Sequence, residues 1–352
     1  MNLLLVNFAL SFIIAICLLR FHFVNSLLDL NIGPQKIHNK NVLRIGGICI
    51  FISALIGPFF TDNDFNDIYK YGLLIILCSI PAFIVGLIED ITKKIGVLIR
   101  LIGVIVSAVL VYYLVPIKIY RFGYNIIDVV IFSFCPLSSF IITLFSITGL
   151  TNAYNIIDGL NGLASMVAIL TLSSIGYVSL INNDPIMLGL ALMMIGSIIG
   201  FFIFNFPYGL FFLGDCGAYL LGFYIACLSI LLVQRHESIS PFYALVVNGY
   251  PVFETIFSIW RRKILRGGKS MIPDGLHFHS LIYRRFMKWK SKGDGDDILK
   301  NSKTSIYLWA FSCLSILPAT LFWNNSNYLI YSGIFFCLIY MYIYKKIILF
   351  KI

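Results

Sequence analysis

Residues 151–164, TNAYNIIDGLNGLA, place polar side chains directly beside apolar runs that are long enough to span a lipid bilayer. The polar members recur every three residues: Asn152, Asn155, Asp158 and Asn161. A carboxylate and amides at the end of a membrane segment are costly unless they are paired, so they indicate a functional site. Because steps of three residues drift by about 60° around an ideal helix, all four cannot share one face. The sequence therefore predicts a break near Gly159, with Asp158 capping the next helix and Gly159 and Gly162 leaving room for a ligand.

The composition around this stretch indicates the class of protein. Of the 352 residues, 59% are hydrophobic and only 12% are charged, and the mean hydropathy is +0.92. No soluble globular protein needs that much apolar surface, so we interpret the chain as an all-α polytopic membrane protein. The first apolar run, 2–24, is too long for a cleaved signal peptide and lacks a basic start. The eight cysteines are scattered without a CxxC pair, which predicts neither a disulfide framework nor a zinc site.

About eleven apolar runs (ten to eleven) are predicted to cross the membrane within one integral membrane domain, 1–352. They lie near 2–24, 45–60, 68–88, 97–115, 126–148, 160–181, 186–205, 216–234, 241–260, 305–323 and 327–348. The second run is the shortest. The longest loop, 261–304, follows the ninth run.

The distribution of charge predicts which side of the membrane each loop occupies. All but four of the 26 lysines and arginines belong to one side, the exceptions being Lys70, Lys118, Arg121 and Arg235. By the positive-inside rule that side is cytoplasmic, so the N-terminus is expected outside. This also explains the net charge of +10 without nucleic acid as a partner. Five polar or glycine-bearing stretches fall on the cytoplasmic side, and we expect them to form one active site: 33–47, 86–94, 152–162, 204–218 and 261–285.

The residue types in these stretches favour phosphoryl transfer, which depends mainly on positioning and charge neutralisation. Asp and Asn oxygens suit Mg²⁺, which binds few carboxylates and keeps waters and substrate phosphates. Helix N-termini after Asp158 and Asp215 are expected to offer backbone N–H groups to phosphate. The cations available to a diphosphate are Arg261, Arg262, Lys263, Arg266 and Lys269.

Each of these features has a structural alternative when it is taken alone. Glu89 and Asp90 would form a solvated loop edge, and Asp215 would only cap a helix. The basic run in 261–292 would be an anchor for the cytoplasmic side. Glu254, near the inner end of the ninth run, would snorkel or pair with an arginine. A functional site is favoured only because all of these features lie together on the cytoplasmic side of the membrane.

At this point the sequence resembles the polyprenyl-phosphate N-acetylhexosamine-1-phosphate transferases, a superfamily that includes the peptidoglycan phospho-MurNAc-pentapeptide translocase. The likeness extends from about residue 33 to residue 285, and NAYNIIDGLNGLA and FLGDCGA are its most specific segments. It implies that a polyprenyl phosphate such as undecaprenyl phosphate attacks a UDP-N-acetylhexosamine and releases UMP. The lipid-linked sugar would begin a surface polysaccharide of the O-antigen, capsule or teichoic-acid type. The resemblance further implies the inner membrane of the cell and an Mg²⁺ cofactor, with Mn²⁺ as the alternative, and it leaves a homodimer open.

The resemblance also implies roles for individual positions. The metal ligands would be Asp215 and Asn155. The residues implied in catalysis are Glu89, Asp90, Asp158, Asp215, His277 and His279. The residues implied in substrate binding are Lys36, His38, Asn152, Asn161, Asn205, Phe212, Arg262 and Asp274.

Within these sets, Glu89 and Asp90 match paired acids proposed to engage or deprotonate the lipid phosphate. The uridine would be contacted by Asn161, Asn205 and Phe212, with Phe212 stacking on the base and Asp158 beside the nucleotide. Phosphate contacts are implied for Lys36 and His38. The diphosphate and sugar would be met by Arg262, Asp274, His277 and His279. Asn152 is expected to brace the turn.

Several positions depart from the usual family pattern, and they cluster in elements that would face the sugar and the diphosphate. Glu89 stands where Asp is usual, which leaves the choice of base between Glu89 and Asp90 open. Other departures are Asn161, Ala218, Gly275 and Ser280. These changes argue against the three-histidine peptidoglycan translocase and favour a sugar other than the commonest one.

Two rival functions remain open at this stage. A transporter or flippase for a lipid-linked or anionic solute would place its polar residues near the bilayer midplane in paired broken segments. The sequence instead gathers them at one face and shows no internal repeat. A structural scaffold would need neither metal nor nucleotide.

Overall fold

The computed structural model of the chain describes residues 2–20, 28–29, 42–44, 46–60, 66–133, 137–265, 276–287 and 297–349. These residues are mainly α-helical, as predicted. The helices are α1 (Asn2–Arg20), α2 (Gly46–Ile56), α3 (Asn66–Cys78), α4 (Ile80–Thr92), α5 (Val97–Leu114), α6 (Asn125–Asp128), α7 (Ser138–Ile157), α8 (Leu163–Ile181), α9 (Pro185–Asn205), α10 (Gly214–Arg235), α11 (Pro241–Val247), α12 (Gly249–Trp260), α13 (Phe278–Leu281), α14 (Asp297–Leu321) and α15 (Ser326–Ile348). Three short strands are β1 (Leu28–Asp29), β2 (Val42–Arg44) and β3 (Phe211–Phe212).

Helix α10 forms the centre of the fold. The apolar stretch of α10 that is long enough to cross a membrane is entirely buried inside the protein. Helices α2, α4, α7 and α8 pack against it. A helix that is apolar all round is stable only when other helices surround it or lipid does, and here protein takes that place. Glycines bring the neighbouring backbones close. A Cβ on Gly86 of α4 would lie 2.6 Å from Cys216 Cα, and one on Gly222 would lie 2.7 Å from Thr151 Cα.

The predicted count of eleven membrane spans is not confirmed. Among the described residues, eight helices are long and apolar enough to cross a membrane, and two bent pairs raise the number to ten. The predicted span missing from these ten is the second one, 45–60. It consists of α2 followed by one 3₁₀ segment, Gly57–Phe60. Its length is about 24 Å, short of a hydrocarbon core of about 30 Å. The fifth predicted span, 126–148, is also displaced, because the long helix there is α7.

Each bent pair breaks where a proline follows. Helices α3 and α4 meet at 45°, and α11 and α12 meet at 75°. Pro81 and Pro251 lie in the first turn of the second helix of each pair. Proline has no N–H to continue the preceding helix and its ring clashes with the previous turn, so the chain changes direction there.

A small sheet joins the segment before α2 to the segment before α10, and both segments carry predicted site residues. Strand β2 pairs in parallel with β3, which places Arg44 opposite Phe212. The N–H of Gly47 then donates to the carbonyl of Leu213 at 2.9 Å, so α2 starts beside the start of α10. Residues that lie about 170 positions apart in sequence become neighbours through this register.

The close crossing of α4 and α10 is testable by adding one methyl group. Gly86→Ala is expected to lower the free energy of unfolding by about 1–3 kcal/mol, because the new Cβ meets backbone atoms of Cys216 that cannot rotate away. The measurement is the thermal unfolding midpoint in detergent. Gly149→Ala is the matched control, since a Cβ there has no neighbour within 4 Å. An unchanged midpoint for Gly86→Ala would show that the helices are not in contact at this glycine.

Candidate active site

The carboxylate of Asp90 holds the N-terminus of α10. Its Oδ1 accepts from the N–H of Asp215 and its Oδ2 accepts from the N–H of Cys216, both at 3.0 Å, and the side chain is fully buried. The first N–H groups of a helix lack partners within the helix, and the positive end of its dipole favours an anion. Gly214 is required beside it, with φ +79° and a Cβ position 2.6 Å from Asp90 Oδ2. The expectation that Asp215 caps this helix is therefore wrong, because a carboxylate from α4 does so.

Two arginines offset this pair of aspartates. Arg100 Nη1 lies 2.6 Å from Asp215 Oδ2, and Arg44 Nη1 lies 3.8 Å from Asp90 Oδ1 and 3.9 Å from Asp215 Oδ1. Arg100 is not among the site residues predicted from the sequence. The signal was present, because a single cation inside the apolar run 97–115 needs an anionic partner.

The helix breaks near Gly159 as predicted, in the polar turn between α7 and α8. The residue that precedes α8 is not the one that was predicted. Asp158 follows the last residue of α7, whereas Gly162, at φ +70°, is the residue that precedes α8. Asp158 therefore does not cap the following helix. Gly159 and Gly162 do not leave space for a ligand either. The imidazole of His279 packs on Gly159, and a Cβ on Gly162 would lie 2.9 Å from the ring of Phe202.

The amides of this turn are used by the protein itself. Asn161 donates from its backbone N–H to Asn301 at 2.8 Å and from its side chain to the Pro207 carbonyl at 3.2 Å. Asn205 accepts from the N–H of Gly162 at 2.6 Å and donates to the Phe211 carbonyl at 2.9 Å. The uridine contacts of Asn161 and Asn205 stay predictions.

Several of the backbone N–H groups near the starts of α8 and α10, where phosphate was expected to bind, already have side-chain partners. The groups of Asn161 and Gly162 bond to asparagine side chains, and those of Asp215 and Cys216 bond to Asp90. Side-chain oxygens of the protein therefore occupy these four donors.

Three more predicted positions lie near α10. Asn155 donates to the hydroxyl of Tyr219 at 3.4 Å, one helical turn after Asp215, so the two predicted metal ligands face the same region. Phe212 is partly buried and lies two residues before Gly214, the first residue of the GDCG segment. Asn152 lies inside α7 and donates to the carbonyl of Thr148 at 2.8 Å, so it does not brace the turn.

Glu89 and Asp90 are adjacent in sequence but differ in surroundings. Glu89 is partly exposed, and its Oε2 accepts from the N–H of Ile95 at 2.8 Å. Asp90 has both oxygens in hydrogen bonds and no exposed surface. The interpretation of the pair as a solvated loop edge is wrong for Asp90.

Asp158 carries the clearest electrostatic perturbation outside the helices. Its position deep among the helices raises its pKa to about 7 by removing water from the carboxylate; Arg44 opposes the rise, and Asp215 and Asp90 add to it. Part of its side chain remains accessible. It is therefore an acid that titrates near neutral pH.

His279, in α13, reaches the same turn at Gly159, and His277 lies beside it. The rings of His277 and His279 are parallel, with centroids 5.5 Å apart. His277 Nδ1 lies 3.0 Å from Glu254 Oε1, and its Nε2 lies 3.4 Å from Arg262 Nη2. Glu254 thus neither snorkels nor pairs with an arginine; it pairs with a histidine. Burial and the neighbouring His277 lower the pKa of His279 to about 4, so it is neutral at pH 7.

Of the other residues predicted to contact phosphate or sugar groups, Arg261 has a different role and several lie outside the described residues. Arg261 donates to the carbonyl of Leu276 and to the hydroxyl of Tyr344, so it holds the loop rather than facing a diphosphate. Lys36, His38, Arg266, Lys269 and Asp274 lie outside the described residues.

The charges present fit a divalent cation held by few protein ligands. Asp215 and Asp90 lie close enough to Asp158 to raise its pKa, and the arginines whose contacts with Asp90 and Asp215 are described are Arg44 and Arg100. Within the described part of the chain, no three His, Cys, Asp or Glu side chains form a cage for an ion. Mg²⁺ commonly binds through one or two carboxylates plus phosphates and water, so this residue set suits it.

Comparisons with known proteins agree with the motifs. The sequence model of glycosyl transferase family 4 matches residues 72–233. The chain is 31% identical over 258 residues to a probable undecaprenyl-phosphate N-acetylglucosaminyl 1-phosphate transferase of Bacillus subtilis, covering 70% of this chain and 66% of that protein. It is 31% identical to an undecaprenyl-phosphate alpha-N-acetylglucosaminyl 1-phosphate transferase of Thermotoga maritima, covering 73% of each. It is also 34% identical over 143 residues to a phospho-N-acetylmuramoyl-pentapeptide-transferase of Streptococcus pneumoniae, covering 39% of this chain and 42% of that protein.

The raised pKa of Asp158 makes a prediction about stability in metal-free buffer. Its folded pKa of about 7 exceeds the value of 3.8 typical of an exposed aspartate, so the folded state holds the proton more tightly. This contribution favours folding below pH 4 and is lost as the pH rises through 7. Asp158→Asn removes the cost of the charge. With a chelator present, the variant is expected to melt above the wild type at pH 8 and level with it at pH 4. The same difference at both pH values would contradict the assignment.

Proposed function

The chain belongs to glycosyl transferase family 4, and on that basis we propose that it transfers N-acetylhexosamine 1-phosphate from a UDP-sugar to undecaprenyl or another polyprenyl phosphate. The observation that carries the proposal is the convergence of Asp90, Asp158, Asp215 and the His277–His279 pair at one end of the helices. Two relatives with 31% identity are named for transfer of a sugar 1-phosphate to undecaprenyl phosphate. The chain is an integral membrane enzyme, which suits a lipid acceptor.

An apolar cavity supports the choice of acceptor. It has a volume of about 880 Å³ and lies among α5, α7, α10, α11 and α12. Its lining runs from Lys118 and Arg121 beyond the end of α5 to Asn152 on α7, and most of it is aliphatic or aromatic. A prenyl chain is apolar and gains by leaving water, whereas its phosphate needs polar partners. The cavity would hold the prenyl chain, with the phosphate at the Asn152 end, from which α7 continues toward Asp158.

The reaction transfers one phosphoryl group between two phosphate oxygens. An oxygen of the acceptor phosphate attacks the phosphorus that carries the sugar, a new P–O bond forms, and the bond from that phosphorus to the bridging oxygen breaks. UMP leaves with the bridging oxygen. A bound Mg²⁺, or Mn²⁺ in its place, would supply charge neutralisation at the diphosphate, held by Asp215 and Asn155.

The residues of the chain have distinct parts in this scheme. Glu89 accepts the proton of the acceptor phosphate, because it is the acid of the 89–90 pair whose carboxylate is partly accessible. Asp90 fixes the position of Asp215 by holding the start of α10. Arg262 and the neutral imidazole of His279 face the charge that develops on the diphosphate.

We also propose the orientation that the charge distribution predicts. The site faces the cytoplasm of the cell's inner membrane, where a nucleotide sugar would be available, and the N-terminus lies outside. The lipid-linked product would begin a cell-surface polysaccharide. A transporter would also explain the bent helix pairs. However, Asp90, Asp158 and Asp215 lie at helix ends rather than at the bends.

A panel of UDP-sugars tests the proposed reaction. Purified protein in detergent, with undecaprenyl phosphate and Mg²⁺, is expected to release UMP and form a lipid-linked sugar with one UDP-N-acetylhexosamine. Asp215→Asn should abolish the release, because it removes the anion that meets Arg100 and the metal. Full turnover by Asp215→Asn would refute the metal assignment. Absence of UMP with every sugar, alongside uptake of solute by vesicles, would favour the transporter.

Variants of the two adjacent acids separate catalysis from support. Glu89→Gln is expected to lower kcat by about 10²–10⁴-fold with an unchanged melting temperature, since it removes the proton acceptor. Asp90→Asn is expected to lower activity and also the free energy of unfolding by about 1–3 kcal/mol, because an amide N–H would face helix donors. Glu237→Gln, exposed after the far end of α10, is the control. If Glu89→Gln keeps wild-type kcat at every pH, Glu89 is not the base.

A further inference from the structure

Glu254 is a fully buried acid for which the proposed reaction has no direct use. It lies on α12 and receives hydrogen bonds on both oxygens. Its Oε1 accepts from His277 Nδ1 at 3.0 Å, from the N–H of Phe278 at 3.2 Å and from Ser258 Oγ at 3.4 Å. Its Oε2 accepts from the hydroxyl of Tyr340 at 2.7 Å. A buried carboxylate is tolerated only when such donors replace water, so this set of contacts is mutually dependent.

The hydroxyl donor on Oε2 comes from the last helix of the chain. Tyr340 is fully buried on α15, and its ring packs on Phe278 with centroids 4.6 Å apart. One turn later on the same helix, the hydroxyl of Tyr344 donates to the carbonyl of Leu276 at 3.2 Å. Helix α15 therefore holds the segment that enters α13 at two successive points. It lies well outside the 72–233 stretch that the family model matches.

These contacts fix which nitrogen of His277 points toward the site. A carboxylate can only accept, so Nδ1 carries the hydrogen that faces Glu254. The opposite nitrogen, Nε2, then lies 3.4 Å from Arg262. The ring of His279 is parallel to that of His277 and rests against Gly159 in the polar turn. Any rotation of His277 would disturb both the arginine and the second imidazole.

We propose that Glu254 and Tyr340 are positioning residues for the transfer reaction, which hold the His277 imidazole with Nε2 toward the diphosphate. The inference rests on the proposed function. Neither residue touches the substrate. Their effect passes through His277, so the last helix contributes to catalysis from outside the motif-bearing part of the chain.

Two conservative variants test the proposal. Tyr340→Phe removes only the hydroxyl and keeps the ring packing, and Glu254→Gln keeps the shape but loses the charge. Each is expected to lower kcat about tenfold or more with the KM for the UDP-sugar unchanged, because a hydrogen bond to a charged group is lost. Tyr331→Phe is the matched control, since that tyrosine is 67% exposed on the same helix. Wild-type kcat for both Tyr340→Phe and Glu254→Gln would overturn the proposal.

A double-mutant cycle separates positioning from general support of the fold. If Glu254 acts through His277, then adding Glu254→Gln to His277→Ala should cause no further loss of kcat per folded protein. If the two losses multiply instead, Glu254 acts by another route and the proposal fails. Melting temperatures measured alongside show how much folded protein each variant retains.

A third readout does not depend on activity. Diethyl pyrocarbonate modifies accessible neutral imidazoles, and mass spectrometry locates the product. His277 is buried and bonded in the wild type, so Glu254→Gln and Tyr340→Phe are expected to raise its modification rate several-fold while Tyr331→Phe does not. Equal rates would overturn the positioning role even if the wild type released no UMP. Absence of UMP release by the wild type, taken alone, would instead refute the proposed function.

Discussion

The contact between the Asp90 carboxylate and the first N–H groups of α10 is the interaction on which the site depends. It joins the end of one helix to the start of another across 125 residues of sequence. It is feasible only because Gly86 and Gly214 leave room for the approach. Burying this anion beside Asp215 would be unfavourable without Arg44 and Arg100, so the four charged residues form one unit. The position of Asp215, the best candidate for holding a metal, follows from that unit.

The polar turn after α7 is held in a similar way by a helix that the motifs do not include. Helix α14 supplies the acceptor on Asn301 for the Asn161 N–H, and the Ser305 hydroxyl donates to the Asn161 carbonyl at 2.7 Å. Trp309 adds a bond from its indole to the carbonyl of Gly162 at 3.1 Å. A turn that breaks the helix leaves backbone groups without partners, and side chains of another helix satisfy them. The last two helices thus support both halves of the site.

Several residues of the family-like motifs bind the protein itself rather than open space. Asn161 and Asn205 bond to backbone groups, and Asp90 holds a helix. Sequence patterns cannot separate these uses, because the same oxygen and nitrogen atoms serve a ligand or a helix end equally well. The prediction that Asp158 and Asp215 cap helices failed for this reason. Asp158 lies at the end of α7, and Gly162, which precedes α8, provides no side-chain cap, whereas Asp90 of α4 caps α10 in place of Asp215.

The sequence by itself determined the membrane class, most of the helices and the break near Gly159, because apolar length and glycine placement are local properties. It also predicted that the motif stretches share one end of the bundle, since each lies at the end of an apolar run on the basic side. Only the tertiary structure showed that Arg100 pairs with Asp215 and that Glu254 pairs with His277. The tertiary structure also showed that the predicted span 126–148 is displaced, and that the described residues contain at most ten membrane spans. Partners between distant helices depend on crossing angles and glycine contacts, which no local pattern encodes.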